Sequence, residues 1–230
     1  MIVSAHQPNF FPWLGFFDKL ARADVLVLLD DVQFPRSGAG VWTNRVGMLV
    51  EGERRWLTVP VERAGRGYQR VNEVRIDDAQ QWRRKLLRTL EQNYAKAPAF
   101  EEVFPFVRSL LETEAELLAE FNELTLRAIA RKLGLDESRI RRSSEVGAEG
   151  QGTDLLIALT RGLGGSTYLS GDGAGGYQED DRFRASGVEL RFQRFEHPVY
   201  PQRSTEFVAG LSVLDALLHC GVEGTHALLA

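Results

Sequence analysis

Along this chain the spacing of apolar and polar positions changes several times, and each change marks a new element. Near the start, IVSAH and VLVLLD (Val25 to Asp30) are compact apolar runs rich in β-branched residues, the pattern of buried strands. Between them, Pro12 to Arg22 spaces Leu14, Phe17 and Leu20 so that they share one helical face. Strand, helix and strand in quick succession predict a βαβ unit with parallel strands, because a helical crossover returns right-handed to the same sheet. His6 and Gln7 then stand at the carboxyl end of the first strand, and Asp30 and Asp31 at that of the second. Ligands of open α/β sheets bind outside those ends.

Alternation returns around Val46 to Val50 and Trp56 to Val61, predicting a hairpin that turns at Glu51-Gly52-Glu53. The loop Glu62 to Arg70 reads as mobile. From Asp78 to Gly134 the period is helical: Trp82, Leu86, Leu90 and Tyr94 recur at four-residue steps, and a second run from Val103 through Leu133 is expected to break near Pro98 and Pro105. Gly134 reads as a helix stop followed by a link, Leu135 to Ile140, and Ser143 to Gly152 as a loop or linker. TDLLIALTRGLGG predicts a helix with Thr153 as N-cap. Then come the strand TYLSG, a glycine cluster, a helix around Glu179 to Ser186, the strand VELRFQRF, the extended turn HPVYPQ, and a last helix, Leu211 to Leu218, capped by Ser212 or a neighbour. The whole reads as an α/β fold with a mostly parallel sheet of Rossmann-like type flanked by helices and carrying a helical insertion. Residues 1–77 form an α/β half with a hairpin, 78–142 a helical region and 143–230 a second α/β half, together one compact unit.

Composition narrows the classes. With 43% hydrophobic and 26% charged residues the chain is an ordinary globular protein. No apolar run approaches the roughly 18 residues of a membrane span, and the start lacks a basic segment before an apolar stretch. Membrane insertion is not expected, and a cytoplasmic location is. The formal net charge of −4 argues against nucleic acid as a partner, so the basic runs Arg63 to Arg70, Arg83 to Arg88 and Arg139 to Arg142 read first as solvated faces. The single cysteine, Cys220, excludes an intrachain disulfide or a cysteine zinc site and reads as core.

Four stretches carry candidate chemistry. In Ala5-His6-Gln7-Pro8-Asn9, a histidine and two amides can bind phosphate oxygens or move a proton near neutral pH. The alternative is a packed histidine under Trp13. Asp30-Asp31, with Asn44-Arg45 beyond, can hold a hydroxyl, an ammonium group or magnesium while Arg45 clamps an anion, or can be a surface turn with an internal ion pair. Ser170-Gly171 and the glycines up to Tyr177 allow close backbone approach to a ligand, yet match neither phosphate-loop fingerprint. His197, Tyr200 and Gln202 are preset by two prolines in HPVYPQ. No triad signature and no His-Glu-x-x-His helix is present.

Taken together, AHQPNFFPWLGFFDKL, DDVQFPR with TNR, WLTVPV, QNYAKAPAF, YLSGDGAGGY, HPVYPQ and FVAGLSVLDALLHCG resemble the WbqC-like family, a bacterial group often found beside polysaccharide or O-antigen genes. The Gly38-Ala39-Gly40 approach to Trp42 departs from that pattern. The resemblance implies a role in modifying sugars of bacterial surface polysaccharide. The order of the N-terminal elements is also similar to adenylyl-transferring enzymes such as pantothenate synthetase, which leaves ATP with magnesium open as cofactor. The expected partner is a small molecule, a sugar or nucleotide-sugar, with an acyl donor. The expected reaction is a transferase or ligase step that joins an acyl or aminoacyl group to an amino sugar. His6, Asp30 and His197 are the catalytic candidates. Gln7, Asn9, Asp31, Asn44, Arg45, Ser170, Gly171, Tyr177, Tyr200 and Gln202 are the substrate-binding ones. The rival class is a non-catalytic sugar- or nucleotide-binding partner of a biosynthetic enzyme.

Overall fold

The structure, a computed structural model, describes residues 1–35, 42–62, 67–171 and 180–229. The Gly38-Ala39-Gly40 approach, part of the Arg63 to Arg70 loop, and the glycine cluster with Tyr177 lie outside the described residues.

The core of the fold is a five-stranded sheet in the order β5-β2-β1-β6-β7, every neighbouring pair parallel. Its strands are β1 (Ile2–His6), β2 (Val25–Leu28), β5 (Ile140–Arg142), β6 (Thr167–Ser170) and β7 (Glu189–Phe192). Val3, Leu26, Val27, Tyr168 and Leu169 are buried, as expected for apolar strands covered on both faces. Helix α1 (Leu14–Arg22) makes the first crossover, so the βαβ unit read from the sequence is present. Its faces are unusual: Leu14 through Leu20 are all buried, Asp18 and Lys19 included.

A separate antiparallel hairpin, β3 (Arg45–Val50) and β4 (Glu53–Thr58), turns at Glu51 and Gly52, both at positive φ. That is the two-residue turn whose twist suits a hairpin. The second strand starts three residues earlier than the apolar pattern indicated, because Glu53, Arg54 and Arg55 pair as strand while facing solvent.

The helical insertion consists of α2 (Trp82–Tyr94), α3 (Phe100–Leu111) and α4 (Leu118–Lys132). Trp82, Leu86, Leu90 and Tyr94 are buried together, as their spacing predicts. Pro105 does not break the run; it lies inside α3, and the interruption falls instead between Glu112 and Leu117. Buried Phe104, Val107, Leu110 and Leu111 outweigh the one helical hydrogen bond that the proline removes.

The stretch read as a link ends in β5, an edge strand, and the stretch read as a linker begins with the single helical turn α5 (Ser143–Val146). Helix α6 (Thr153–Gly162) is not capped by Thr153. Gly152, at φ 54, is its N-cap and Thr153 is already helical. A short α7 (Asp180–Ser186) precedes β7. The last helix, α8 (Val213–Ala227), is capped by Ser212 as expected and runs on past Leu218, kinking at Gly221.

One apolar core extends from Phe10 through the hairpin and the insertion to Leu229, and a smaller cluster around Val3, Val27 and Phe183 covers the other side of the sheet. The main core encloses one polar knot. Asp215, fully buried on α8, accepts hydrogen bonds from Tyr94 Oη at 2.7 Å, Tyr200 Oη at 2.8 Å and Gln202 Nε2 at 3.3 Å. Tyr94 Oη in turn accepts from the Leu49 amide at 2.9 Å, so the knot ties the insertion, the hairpin and the C-terminal helix together. Burial, reinforced by the Asp215 carboxyl, pushes both tyrosines upward, and their hydroxyls stay protonated donors.

Asp215→Ala leaves two tyrosine hydroxyls without their acceptor and is expected to cost about 3 kcal/mol or more, since each buried unsatisfied group costs roughly 1–3 kcal/mol. Asp215→Asn, which keeps one acceptor oxygen, should cost clearly less. Urea unfolding of the two variants beside wild type checks the order, and equal losses would show that the hydroxyls do not depend on the carboxyl.

Candidate functional site

A sheet ordered β5-β2-β1-β6-β7 reverses its winding direction between β1 and β6, and in such folds the crevice outside the carboxyl ends of those strands holds the ligand. The residues there are His6 and Gln7 from the first strand and Ser170 and Gly171 from the other. His6 packs edge-on against Trp13 and Phe16, with ring centroids 5.6 and 5.2 Å apart. Its Nδ1 lies 3.0 Å from the carbonyl oxygen of Gln7. A carbonyl only accepts, so Nδ1 carries the hydrogen and Nε2 presents a lone pair. Burial, the nearby ammonium of Lys19, and only in opposition the Gln7 carbonyl set its basicity; the result is pushed down to about 3. His6 is therefore neutral throughout the physiological range.

Lys19 is a functional candidate that sequence reasoning missed. It sits on the buried face of α1, and a Cβ placed on Gly171 would fall 3.0 Å from its Nζ. Only glycine lets the ammonium approach the end of β6 so closely. The signal was present in LGFFDKLAR, where two charged residues lie inside an otherwise apolar helix. Asp18 uses its charge locally, pairing with Arg22 at 3.2 Å and accepting from Gln193 at 2.6 Å.

From His6 a line of rings leads outward. Trp13 meets Trp42 at 5.2 Å, and Trp42 meets Trp56 at 5.0 Å. Arg45 lies over Trp56 at 4.5 Å, and Arg54 over Trp56 and Trp42 at 4.9 and 5.5 Å. His197 packs on Phe195 at 5.2 Å and is held below its ordinary pKa, by burial first and by the Arg54 charge second. Gln7 Oε1 accepts from Thr43 Oγ1 at 2.9 Å, which fixes the amide beside this line. Trp42, Trp56 and Arg54 were not singled out from the sequence, because an Arg-Trp hairpin strand carries no catalytic spacing.

The remaining candidates fall elsewhere. Asp30 lies beyond β2, where one oxygen accepts from Ser143 Oγ and the Ser144 amide, each at 3.0 Å, and the other from Ser144 Oγ at 2.7 Å and Asn72 Nδ2 at 3.4 Å. Asp31 also accepts from Ser143 Oγ. The pair thus secures the turn of α5 to the sheet. Asp30 also lines a cavity of about 200 Å³ with Pro8, Leu28, Glu123 and Arg142. Glu123 is itself paired with Arg142 at 2.5 Å and Arg127 at 2.8 Å. Asn44 is buried and donates to the Val59 carbonyl at 3.0 Å. Asn9 is 2% exposed, and its Nδ2 has no hydrogen-bond partner among the described residues. Tyr200 and Gln202 belong to the Asp215 knot. The structure thus brings His6, Gln7, Arg45, His197, Ser170 and Gly171 toward one end of the sheet, leaves Asp30, Asp31, Asn44, Tyr200 and Gln202 in supporting contacts, and buries Asn9. A triphosphate offers only acceptors there, and His6 as held presents a lone pair, so this side chain does not fit the role of the phosphate-binding histidine that ATP would need. Among the described residues no cluster of three or more His, Cys, Asp or Glu could hold a metal ion. No helix among them is long and apolar enough to cross a membrane.

Comparison with known proteins places the chain in a group. The WbqC-like protein family matches residues 7–227. The uncharacterized protein Rv1507c of Mycobacterium tuberculosis (strain ATCC 25618 / H37Rv) is 29% identical over 223 residues, covering 96% of this chain and 94% of its own. No solved structure matches the chain.

The lowered basicity of His6 links folding to pH. Between about 3 and the ordinary histidine value of 6.5 the unfolded chain binds a proton that the native ring refuses, so stability falls as pH drops through that window. Each pH unit in it is worth at most about 1.4 kcal/mol. His6→Gln removes this contribution, so urea unfolding at pH 7 and pH 4.5 should show a smaller acid loss in the variant than in wild type. Equal losses would mean that His6 titrates normally in the folded protein.

Proposed function

The chain belongs to the WbqC-like protein family, and we propose that it catalyses acyl or aminoacyl transfer onto the amine of an amino sugar destined for a bacterial surface polysaccharide. The observation that carries this reading is the pairing, at the carboxyl ends of β1 and β6, of a neutral His6 whose Nε2 is a lone pair with the buried ammonium of Lys19. Amide formation needs both kinds of group: an acceptor for the amine proton and a positive centre for the oxygen of the tetrahedral intermediate.

In this reading the amine nitrogen attacks the carbonyl carbon of an activated acyl donor, a thioester or ester. As the C–N bond forms, the nitrogen gains positive charge and its N–H becomes far more acidic than in the free amine. His6 Nε2 takes that proton while Lys19 faces the developing oxyanion. The intermediate collapses, the bond to the leaving group breaks, and His6 returns the proton to it. The hydrogen bond from Nδ1 to the Gln7 carbonyl keeps the ring in the required tautomer and stabilises the imidazolium that forms. Trp13 and Phe16 exclude water that would otherwise hydrolyse the donor.

The test is direct: the protein is incubated with a panel of amino sugars, free and nucleotide-linked, and acyl or aminoacyl thioesters, and amide product is followed by mass spectrometry. Product is expected, and His6→Gln should lower kcat by about a hundredfold or more with little change in KM. Because His6 remains unprotonated down to about pH 3, the rate should show no acid limb near pH 6.5 from this group. Saturable sugar binding with every donor recovered unchanged would replace the enzyme by a binding partner. A full-rate His6→Gln would remove the assigned base.

A further inference from the structure

We infer that Arg45 and Arg54, held over the indole rings of the β3–β4 hairpin, form the diphosphate-binding subsite of a nucleotide-linked sugar whose sugar end reaches His6. This rests on the reading above and names its acceptor as a nucleoside-diphosphate sugar. Guanidinium groups held over indoles are restrained in orientation, and their N–H forks can meet phosphate oxygens two at a time. Arg54 spans two rings, Trp42 and Trp56, and Arg45 shares the second of them.

Three further features point to an anion rather than to core packing. The platform is open to solvent, with Trp56 40% exposed and Arg54 exposed. Among the described residues, Arg54 makes a long hydrogen bond of 3.5 Å to the neutral carbonyl of Gly210 and lies near His197. The hairpin is also shaped around this side chain. A Cβ on Gly47 would lie 2.7 Å from Arg54 Nε, so a residue with any side chain there would force the guanidinium to shift over its rings.

The direction of the platform fixes the substrate class. It joins the crevice through Trp42 and Trp13 in three ring contacts of 5.0 to 5.6 Å, ending at His6. That run suits an extended nucleotide-linked sugar, not a free monosaccharide.

Tryptophan fluorescence reads the subsite, since Trp13, Trp42 and Trp56 all lie along it. UDP, dTDP, GDP and inorganic pyrophosphate are titrated separately into wild type, Arg54→Gln, Gly47→Ala and His6→Gln, each first shown by circular dichroism and thermal unfolding to be folded. At least one nucleoside diphosphate should bind wild type saturably and more tightly than pyrophosphate. Arg54→Gln should weaken it about tenfold or more, as loss of a charged hydrogen bond does. Gly47→Ala, which keeps every charge, should weaken it in the same direction, and His6→Gln should leave it essentially unchanged. The inference falls if no nucleoside diphosphate binds wild type, if pyrophosphate binds as tightly as all three, or if Arg54→Gln and Gly47→Ala bind like wild type. Retained turnover in His6→Gln beside lost diphosphate binding in Arg54→Gln would sink the base and uphold the subsite.

Discussion

Everything at the candidate site depends on the parallel pairing of β1 on both sides. Its backbone is hydrogen-bonded to β2 in one direction and to β6 in the other, so the strand has no freedom to slide. Chains leaving a parallel pair must cross over, and α1 packs its buried face back against the sheet as it does so. The end of β1 is therefore the place where two crossovers diverge. His6 stands there because it is the last residue of that strand, and Lys19 arrives because α1 is buried along its whole inner length. A proton acceptor and a cation are brought together by topology, with neither placed by a flexible loop.

The electrostatics of the crevice follow from that enclosure. Ring packing removes water from His6, and the ammonium nearby opposes a second positive charge, so both effects favour the neutral ring. A histidine of ordinary basicity would be partly protonated at neutral pH and would lose its lone pair in proportion. Here the neutral form is secured at the expense of base strength. Arg54 acts on His197 in the same sense farther along the ring line, although there burial comes first and the charge second.

Much of this was legible beforehand, and the exceptions have physical reasons. Elements with strong periodicity, such as the βαβ start, α2 and the capped α8, matched their patterns because burial on one face or both dictates residue type. β5 was missed because a three-residue edge strand with two arginines has too little apolar content to register, and its place comes from pairing with β2 alone. Pro105 misled because the penalty of a proline is local whereas the packing of α3 is collective. His6 and Gln7 were placed at the end of β1 correctly because strand ends are readable. Lys19, Trp42 and Arg54 were not singled out, since their meaning comes from contacts between distant segments. Asp30 and Asp31 were read at the right strand end, but Ser143 and Ser144, whose hydroxyls and amide occupy them, lie more than a hundred residues away.

The hairpin shows why such contacts matter more than residue type. Arg54 and Arg55 are adjacent on β4, equally charged and both exposed to solvent. Strand alternation sends them to opposite faces. Arg55 meets Glu53 at 2.7 Å in an exposed pair of the sort that contributes little to stability. Arg54, paired across the hairpin with Leu49, reaches back over the space left by Gly47's missing side chain and lies over two indoles. The same residue type is a solvated surface group at one position and an oriented recognition group at the next. The difference is made by a glycine on the partner strand and by two tryptophans, one of which, Trp42, lies just before that strand begins.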